Sequence, residues 1–521
     1  MSLARNTFVQ FSFTLLSRLF GYARDRIISN MVGAGFIGDA LVMAQTFPNL
    51  FRRILAEGAF SQAFVPLYAK KVKKDGDESA AEMASEAFSV LALASIIIVI
   101  IAQIFMPAIV WLLHNGQAKN PEAYKLTILL TQITMPYLVG MSASALFAGI
   151  LNTASKFALS AFAPTLLNLT ILAFVIFTKN PVQAATNAAI AITVAGLLQA
   201  GLLFYGCRRL GVKIGFKIPK LTEDVKTILK VMAPSVIAGS ATQINIMISQ
   251  PLQSFEVGAK TWLYFADRFY QLPLGLIGVA ISVALLPRLS SAIASKNLKD
   301  GQKALNEGFI LSMALTLPAA AALLAIPYFL MYGFWEGGEF TVQDSHNAAN
   351  ALFHYAWGVP AMVLIRIFAP PFFARQDTKS PMKFAIWGVV SNIIIGASLF
   401  FVFHNINKTG YIGLAIGTSF AAWLNAISLM VSLIKRRWWY FERNVIDKLS
   451  RIIAACLVMA TFLFMVHIYS DIVFEWFDFM KIGGKEIAVI LVSLIGIIIY
   501  GIFSLLFGAL TIKDIKALVK K

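Results

Sequence analysis

Apolar residues run through this chain in long blocks, separated by short stretches where charge collects. A transmembrane helix needs about 20 mostly apolar residues. By that measure the pattern predicts fourteen spans, near residues 8–31, 36–65, 84–113, 125–151, 157–178, 185–206, 231–251, 258–286, 306–334, 347–373, 382–404, 409–434, 450–469 and 485–510. The first two blocks are the least apolar, and hydropathy alone would pass over them. The alternation of charge between loops requires them. The expected fold class is therefore an all-α polytopic membrane protein with fourteen transmembrane helices.

Loop charge sets the orientation. With the N-terminus placed in the cytoplasm, loops and ends on that side hold 30 of the 44 basic residues. Among them are Lys70, Lys71, Arg208, Arg209, Lys217, Arg375, Arg436 and the tail lysines. The opposite loops hold seven: Lys119, Lys125, Lys179, Lys260, Lys408, Lys481 and Lys485. The positive-inside rule then puts both termini in the cytoplasm and requires an even number of spans. The formal net charge of +18 becomes an orientation signal and a means of contact with anionic lipid heads. The basic stretch 207–230, flanked by spans, reads as a membrane-facing connector, and nucleic acid is not an expected partner. Residues Met1 to Thr7 lack the apolar run and cleavage site of a signal peptide and read as retained.

The two halves resemble each other weakly. Val32-Gly33-Ala34 recurs as Val257-Gly258-Ala259, and Ala63-Phe64-Val65-Pro66 as Ala284-Leu285-Leu286-Pro287. Pro136 matches Pro360, and Asn168 matches Asn392. The offsets are 225, 221, 224 and 224. An offset of six spans keeps the orientation, which implies two six-helix lobes related by a pseudo-twofold along the membrane normal. Transporters of that plan place their site at the lobe interface. The expected organisation is an N-lobe with its basic connector over 1–222, a C-lobe over 223–440, and two further helices with the tail over 441–521.

The remaining seven basic residues are all arginines inside spans: Arg18, Arg24, Arg26, Arg52, Arg53, Arg268 and Arg366. They face four intramembrane carboxylates, Asp25, Asp39, Glu57 and Asp267. Charge at mid-bilayer is costly, so it faces water, a partner or a substrate. Arg18 and Asp25 share a helix face, whereas Arg24 points about 100° from Asp25. Arg53 and Glu57 are spaced to pair. Asn49 and Arg52 share a face beside Pro48, which removes one helical hydrogen bond. Arg52, Arg53 and Glu57 also suit snorkelling toward the cytoplasmic side; Arg26 and Arg366 read equally well as structural. A surplus of guanidinium suits an anionic ligand such as a diphosphate, because its fork matches paired phosphate oxygens.

Composition narrows the class further. The chain is 58% hydrophobic and 13% charged, too apolar for a soluble protein. Cys207 and Cys456 have no metal or disulfide spacing, and the five histidines form no ligand motif. No metal site and no cofactor is expected, and no catalytic motif supports an acyltransferase. A scaffold would not need buried arginines, and an exporter of cationic drugs would favour carboxylates.

At the charged spans the chain resembles a known family. Ser17-Arg18-Leu19-Phe20-Gly21-Tyr22-Ala23-Arg24-Asp25, the stretch from Phe47 to Pro66, Phe162 to Asn168, Tyr264 to Arg268 and Ala374 to Pro381 all resemble motifs of the MurJ (MviN) family of the MOP exporter superfamily. The resemblance implies a flippase for lipid II, the undecaprenyl-diphosphate disaccharide-pentapeptide of peptidoglycan synthesis, in the bacterial inner membrane. It implies two lobes around a cationic cavity that works by alternating access, with the last two spans forming a groove for the lipid tail. Substrate-binding roles fall on Arg18, Arg24, Asp25, Asn49, Arg52 and Arg268. Gate or ion-pair roles fall on Asp39, Arg53, Glu57 and Asp267. Lipid II and membrane lipids are the implied partners, and a peptidoglycan polymerase stays open as a third. A flippase for another prenyl-diphosphate-linked glycan and an exporter of the related MATE type remain alternatives. Some relatives carry a sodium site built on second-lobe carboxylates. Spans seven, eleven and twelve here have no Asp or Glu, which leaves only the neutral oxygens of Gln243, Asn245, Asn392 and Thr418.

Overall fold

The computed structural model describes residues 3–53, 60–295, 297–480 and 483–510. Glu57, Lys296, Lys481 and the tail lysines Lys513, Lys516, Lys520 and Lys521 lie outside the described residues. The order of helices is α1 (Leu3–Val32), α2 (Phe36–Phe51), α3 (Ser61–His114), α4 (Pro121–Thr134), α5 (Tyr137–Thr153), α6 (Phe157–Val175), α7 (Pro181–Arg209), α8 (Glu223–Ser254), α9 (Ala259–Pro273), α10 (Val279–Ala294), α11 (Leu298–Ala325), α12 (Pro327–Trp335), α13 (Val342–Ala356), α14 (Val359–Phe368), α15 (Pro370–Phe373), α16 (Lys379–Asn407), α17 (Gly410–Lys435), α18 (Arg443–Ile468), α19 (Ser470–Glu475) and α20 (Gly484–Leu506). The described residues contain no strand, only an isolated bridge between Gly337 and Phe340. The chain forms two compact units, Met1–Thr261 with Gly337–Phe340, and Trp262–Glu336 with Thr341–Lys521.

Among the described residues, ten segments are long and apolar enough to cross a membrane. They coincide with expected spans three to six and nine to fourteen. Spans one, two, seven and eight also contain helices; charge dilutes α1, and α2 and α9 are only 16 and 15 residues long, so a count of fourteen is consistent with the fold. Several spans are broken. Gly76, at φ 83°, separates residues 61–75 of α3 from residues 77–114. Phe60, Phe64 and Tyr68 before Gly76 share an apolar cluster with Ala80, Met83, Ala84 and Ala87 after it. Span eight passes through a π turn at Leu274–Gly278. Spans four and ten break next to the matched prolines: Pro136 precedes α5, and Pro360 opens α14.

Prolines inside membrane helices free a carbonyl four residues earlier, and a neighbour must satisfy it. Pro48 frees the carbonyl of Ala44, which accepts from Thr134 Oγ1 at 2.7 Å. Pro318 frees that of Ala314, which accepts from Tyr500 Oη at 2.6 Å. Pro107 and Pro136 free the carbonyls of Gln103 and Gln132, and the side-chain amides of those two glutamines serve each other's carbonyls. Helix starts follow local chemistry too. Asn120 and Asn180 each precede a proline at the first helical position, and each side chain accepts from two amides of the first turn of α4 and α7 respectively, as N-caps do.

Small residues let helices approach closely. A Cβ on Gly140 of α5 would lie 2.5 Å from Gly196 of α7, and one on Gly417 of α17 would lie 2.7 Å from Gly396 of α16. The outside is apolar. Ile386, Val390 and Ile394 of α16 and Leu494, Ile497 and Ile498 of α20 are exposed, which suits a surface solvated by lipid.

The basic connector after α7 is strapped to α3. The Gly215 amide donates to Ser85 Oγ at 3.2 Å and the Lys217 amide to Ser89 Oγ at 2.8 Å. Lys217 Nζ pairs with Glu82 at 2.6 Å, and Thr222 Oγ1 donates to Glu86 at 2.7 Å.

Candidate functional site: oriented arginines and a carboxylate clasp

Arg24 and Asp25 are both buried in α1. Arg24 Nε and Nη2 donate to Asp25 Oδ1 at 2.9 and 2.5 Å. Arg24 Nη1 donates to Asn168 Oδ1 of α6 at 2.9 Å, and Asn168 Nδ2 donates to the Ser17 carbonyl at 2.9 Å. The helical wheel separates Arg24 from Asp25, but a long side chain folds back across that angle. A buried guanidinium held on several oxygens is fixed in direction, which is what recognition of a paired phosphate needs. Asn168 entered the sequence reading as a repeat match and as the end of a family-like stretch, with no site role. The signal for its role was an amide set within an apolar span.

A second oriented arginine lies at the end of α2. Arg52 Nε donates to Asn49 Oδ1 at 2.9 Å, and Asn49 Nδ2 donates to the Gln45 carbonyl at 2.8 Å. Arg18 and Arg53 are exposed, and the pairing of Arg53 with Glu57 falls outside the described residues. Arg26 Nη1 donates to Asn30 Oδ1 at 3.0 Å. In the second unit Arg268 donates to Tyr264 Oη, and its guanidinium lies 4.5 Å from the centre of that ring. Asp267 accepts from Gln271 Nε2. Arg366 is exposed, and a Cβ on Gly278 would lie 2.7 Å from its Cδ.

Asp39 is fully buried and belongs to a clasp. Its Oδ1 accepts from the Thr261 amide at 3.0 Å and from Thr261 Oγ1 at 2.9 Å. Its Oδ2 accepts from the Gly258 amide at 2.7 Å and from Gln117 Nε2 at 2.8 Å. The first amides of a helix have no partner within the helix and carry its positive end. A carboxylate of α2 thus caps α9 from 219 residues away. Lys260, expected in an outer loop, is instead only 1% exposed. It is the second residue of α9, and Gln250, Leu113 and Met43 surround its amine.

Outside the spans, the stretch before α16 closes on the end of α17. Asp377 accepts from the Ser380 amide and hydroxyl at 3.0 and 2.7 Å and from Arg436 Nη1 at 2.6 Å. Ser380, followed by Arg436, holds its carboxyl down from 3.8 to about 2. Arg375 and Arg436 both stack on Trp438, at 4.4 and 4.8 Å.

Comparison with known proteins places this arrangement. Residues 28–483 match the family described as "Lipid II flippase MurJ". A "Probable lipid II flippase MurJ" of Rhizobium tropici is 33% identical over 100% of this chain and 97% of its own length. One of Rickettsia prowazekii is 32% identical over 93% of this chain and 94% of its own. A solved lipid II flippase MurJ in an inward closed conformation superposes with a TM-score of 0.77 at 26% identity, covering 96% of this chain and 98% of that one. An inward-facing MATE multidrug transporter of the MOP superfamily reaches 0.66 at 15% identity, over 82% of this chain and 97% of its own, a likeness of fold. The fold is that of a polytopic membrane transporter of the MOP type. Within that class, the chain belongs to the lipid II flippase MurJ family, whose members are transporters and not enzymes.

Proposed function

We propose that this chain moves lipid II from the cytoplasmic to the outer leaflet of the bacterial inner membrane by alternating access, with both termini in the cytoplasm. The observation that carries the reading is similarity along the whole chain to relatives named as lipid II flippases. The arginines support it. Arg24, Arg52 and Arg268 are the diphosphate ligands in this reading, with Arg24 aimed by Asp25 and Asn168, and Arg52 by Asn49. Arg18 and Arg53 supply positive charge near the headgroup. Asp39, Asp267 and Glu57 belong to the gates; Asp39 closes the outer side by holding the first turn of α9. The polyprenyl tail stays in lipid while the polar head passes. Moving a net cationic site across the field couples to membrane potential, worth about 2.3 kcal/mol per charge per 100 mV.

The test uses cells depleted of their own lipid II flippase. The wild-type chain is expected to restore growth and move lipid II to the outer leaflet, whereas Arg24→Ala or Arg268→Ala at equal membrane levels does neither. Normal growth of both variants would overturn the assigned site, and failure of the wild-type chain to shift lipid II between leaflets would overturn the function.

A further inference from the structure

Lys260 is a fully buried charge that the transport reading leaves without a task. Its Nζ donates to Gln250 Oε1 of α8 at 2.7 Å and to the Leu113 carbonyl of α3 at 3.2 Å, and lies 3.9 Å from Met43 Sδ. Leu113 is in the last turn of α3, where carbonyls lack helical donors and carry the negative end of the dipole. One turn of α9 is therefore held twice. It receives the Asp39 carboxylate at its own amino end, and it sends the Lys260 ammonium to the carboxyl end of α3. Each charge sits at the helix end whose partial charge it complements. Burying an ammonium costs several kcal/mol that an apolar side chain of the same length would avoid. What the ammonium adds is direction, because its donors must find Gln250 and Leu113.

We propose that Lys260 is a positioning residue that locks the first turn of α9 to α3 and α8, so that this face opens only when Asp39 and Lys260 leave their helix ends together. The inference rests on the flippase reading for taking this face as the outer one and its opening as a step of transport. In this chain the lock is built from two charges of opposite sign, and either can be altered without touching the arginines.

The experiment uses the full chain in membranes with Cys207→Ser and Cys456→Ser, and Leu113→Cys as reporter. The Leu113 side chain is 3% exposed, and only its backbone reaches Lys260, so a membrane-impermeant maleimide labels the reporter when the clasp opens. Lys260→Met is expected to raise the labelling rate about tenfold, the size of one buried charge-assisted hydrogen bond. Gln250→Glu, which sets a carboxylate against the ammonium, is expected to lower it by about the same factor. A lysine that only fills the core gives no such opposite pair. Unchanged labelling with Lys260→Met, or raised labelling with Gln250→Glu, overturns the proposal. If Lys260→Met does not accumulate, the sign of the Gln250→Glu effect decides. Lipid II translocation is followed in parallel vesicles. Labelling that responds as stated while the wild-type chain moves no lipid II refutes the flippase reading and leaves the lock standing.

Discussion

Gln103 of α3 and Gln132 of α4 exchange hydrogen bonds, each side-chain amide donating to the other's backbone carbonyl, at 2.8 Å from Gln103 and 3.3 Å from Gln132. Both carbonyls lost their helical donors to prolines four residues on. Gln103→Leu orphans the carbonyl on the shorter bond and is expected to lower stability by about 1 kcal/mol, with Gln132→Leu costing less. Thermal unfolding of both variants in detergent checks the order. A larger cost for Gln132→Leu would show that the exchange is not the source.

Arg24 is aimed by two partners on different helices, which separates charge from geometry. Arg24→Lys keeps the charge but loses the fork, and is expected to reduce complementation about as severely as Arg24→Ala. Asn168→Leu keeps the ion pair and frees one direction of the guanidinium, giving a partial loss. Asn168→Asp adds a second carboxylate, satisfies the cation internally and is expected to abolish activity. Growth and lipid II leaflet assays at matched protein levels rank the three. Full activity of Asn168→Asp would remove Arg24 from the ligand set.

Asp39 caps a helix it does not belong to. Asp39→Asn retains one acceptor oxygen, so it is expected to keep part of the cap and lose the charge–dipole attraction, a cost of about 1 kcal/mol. Asp39→Ala loses both and costs about 1–3 kcal/mol. Hydrogen exchange at the Gly258 and Thr261 amides reports the change locally. Protection at those amides that survives Asp39→Ala would refute the clasp.

Asp377 has its carboxyl depressed to about 2 by Ser380 and Arg436. A depressed folded value means that its contribution is present above about 4 and is lost as pH falls toward 2. Both partners keep contact with solvent, 21% of the Asp377 side chain and 37% of that of Arg436, so screening keeps the effect small. Ser380→Ala is expected to lower stability slightly at neutral pH and leave it unchanged near pH 2, which flattens the acid limb of the melting curve in that window. An identical acid limb in both proteins would show that this loop does not carry it.

Much of the architecture was legible in the sequence. The apolar blocks and the charge alternation located the helices, and Pro48 stood out beside Asn49 and Arg52; the matched Pro136 and Pro360 turned out to mark helix breaks. What stayed hidden depends on partners far away in the chain. Hydropathy averages over a window, so on its own it passes over α1 and α2, where charged side chains interrupt the apolar run. Charge counting placed Lys260 in a loop and missed its burial, because it cannot see Gln250 and the end of α3. A helical wheel kept Arg24 apart from Asp25 because it places Cβ atoms and ignores side-chain reach. Asn168 stands 144 residues from Arg24, and no local pattern joins them.

The cap on α9 also bears on how the protein is made. Asp39 enters the bilayer with α2, but Gly258 comes 219 residues later. At about 5–20 residues per second, that is a wait on the order of 10 to 40 s. During that interval a lone carboxylate in a membrane must stay near the headgroups or take up a proton. Gln117 arrives first and supplies one donor; the other three come only with α9. Final seating of α2 is therefore expected to be a late event of biogenesis, completed when the second half of the chain is already being inserted.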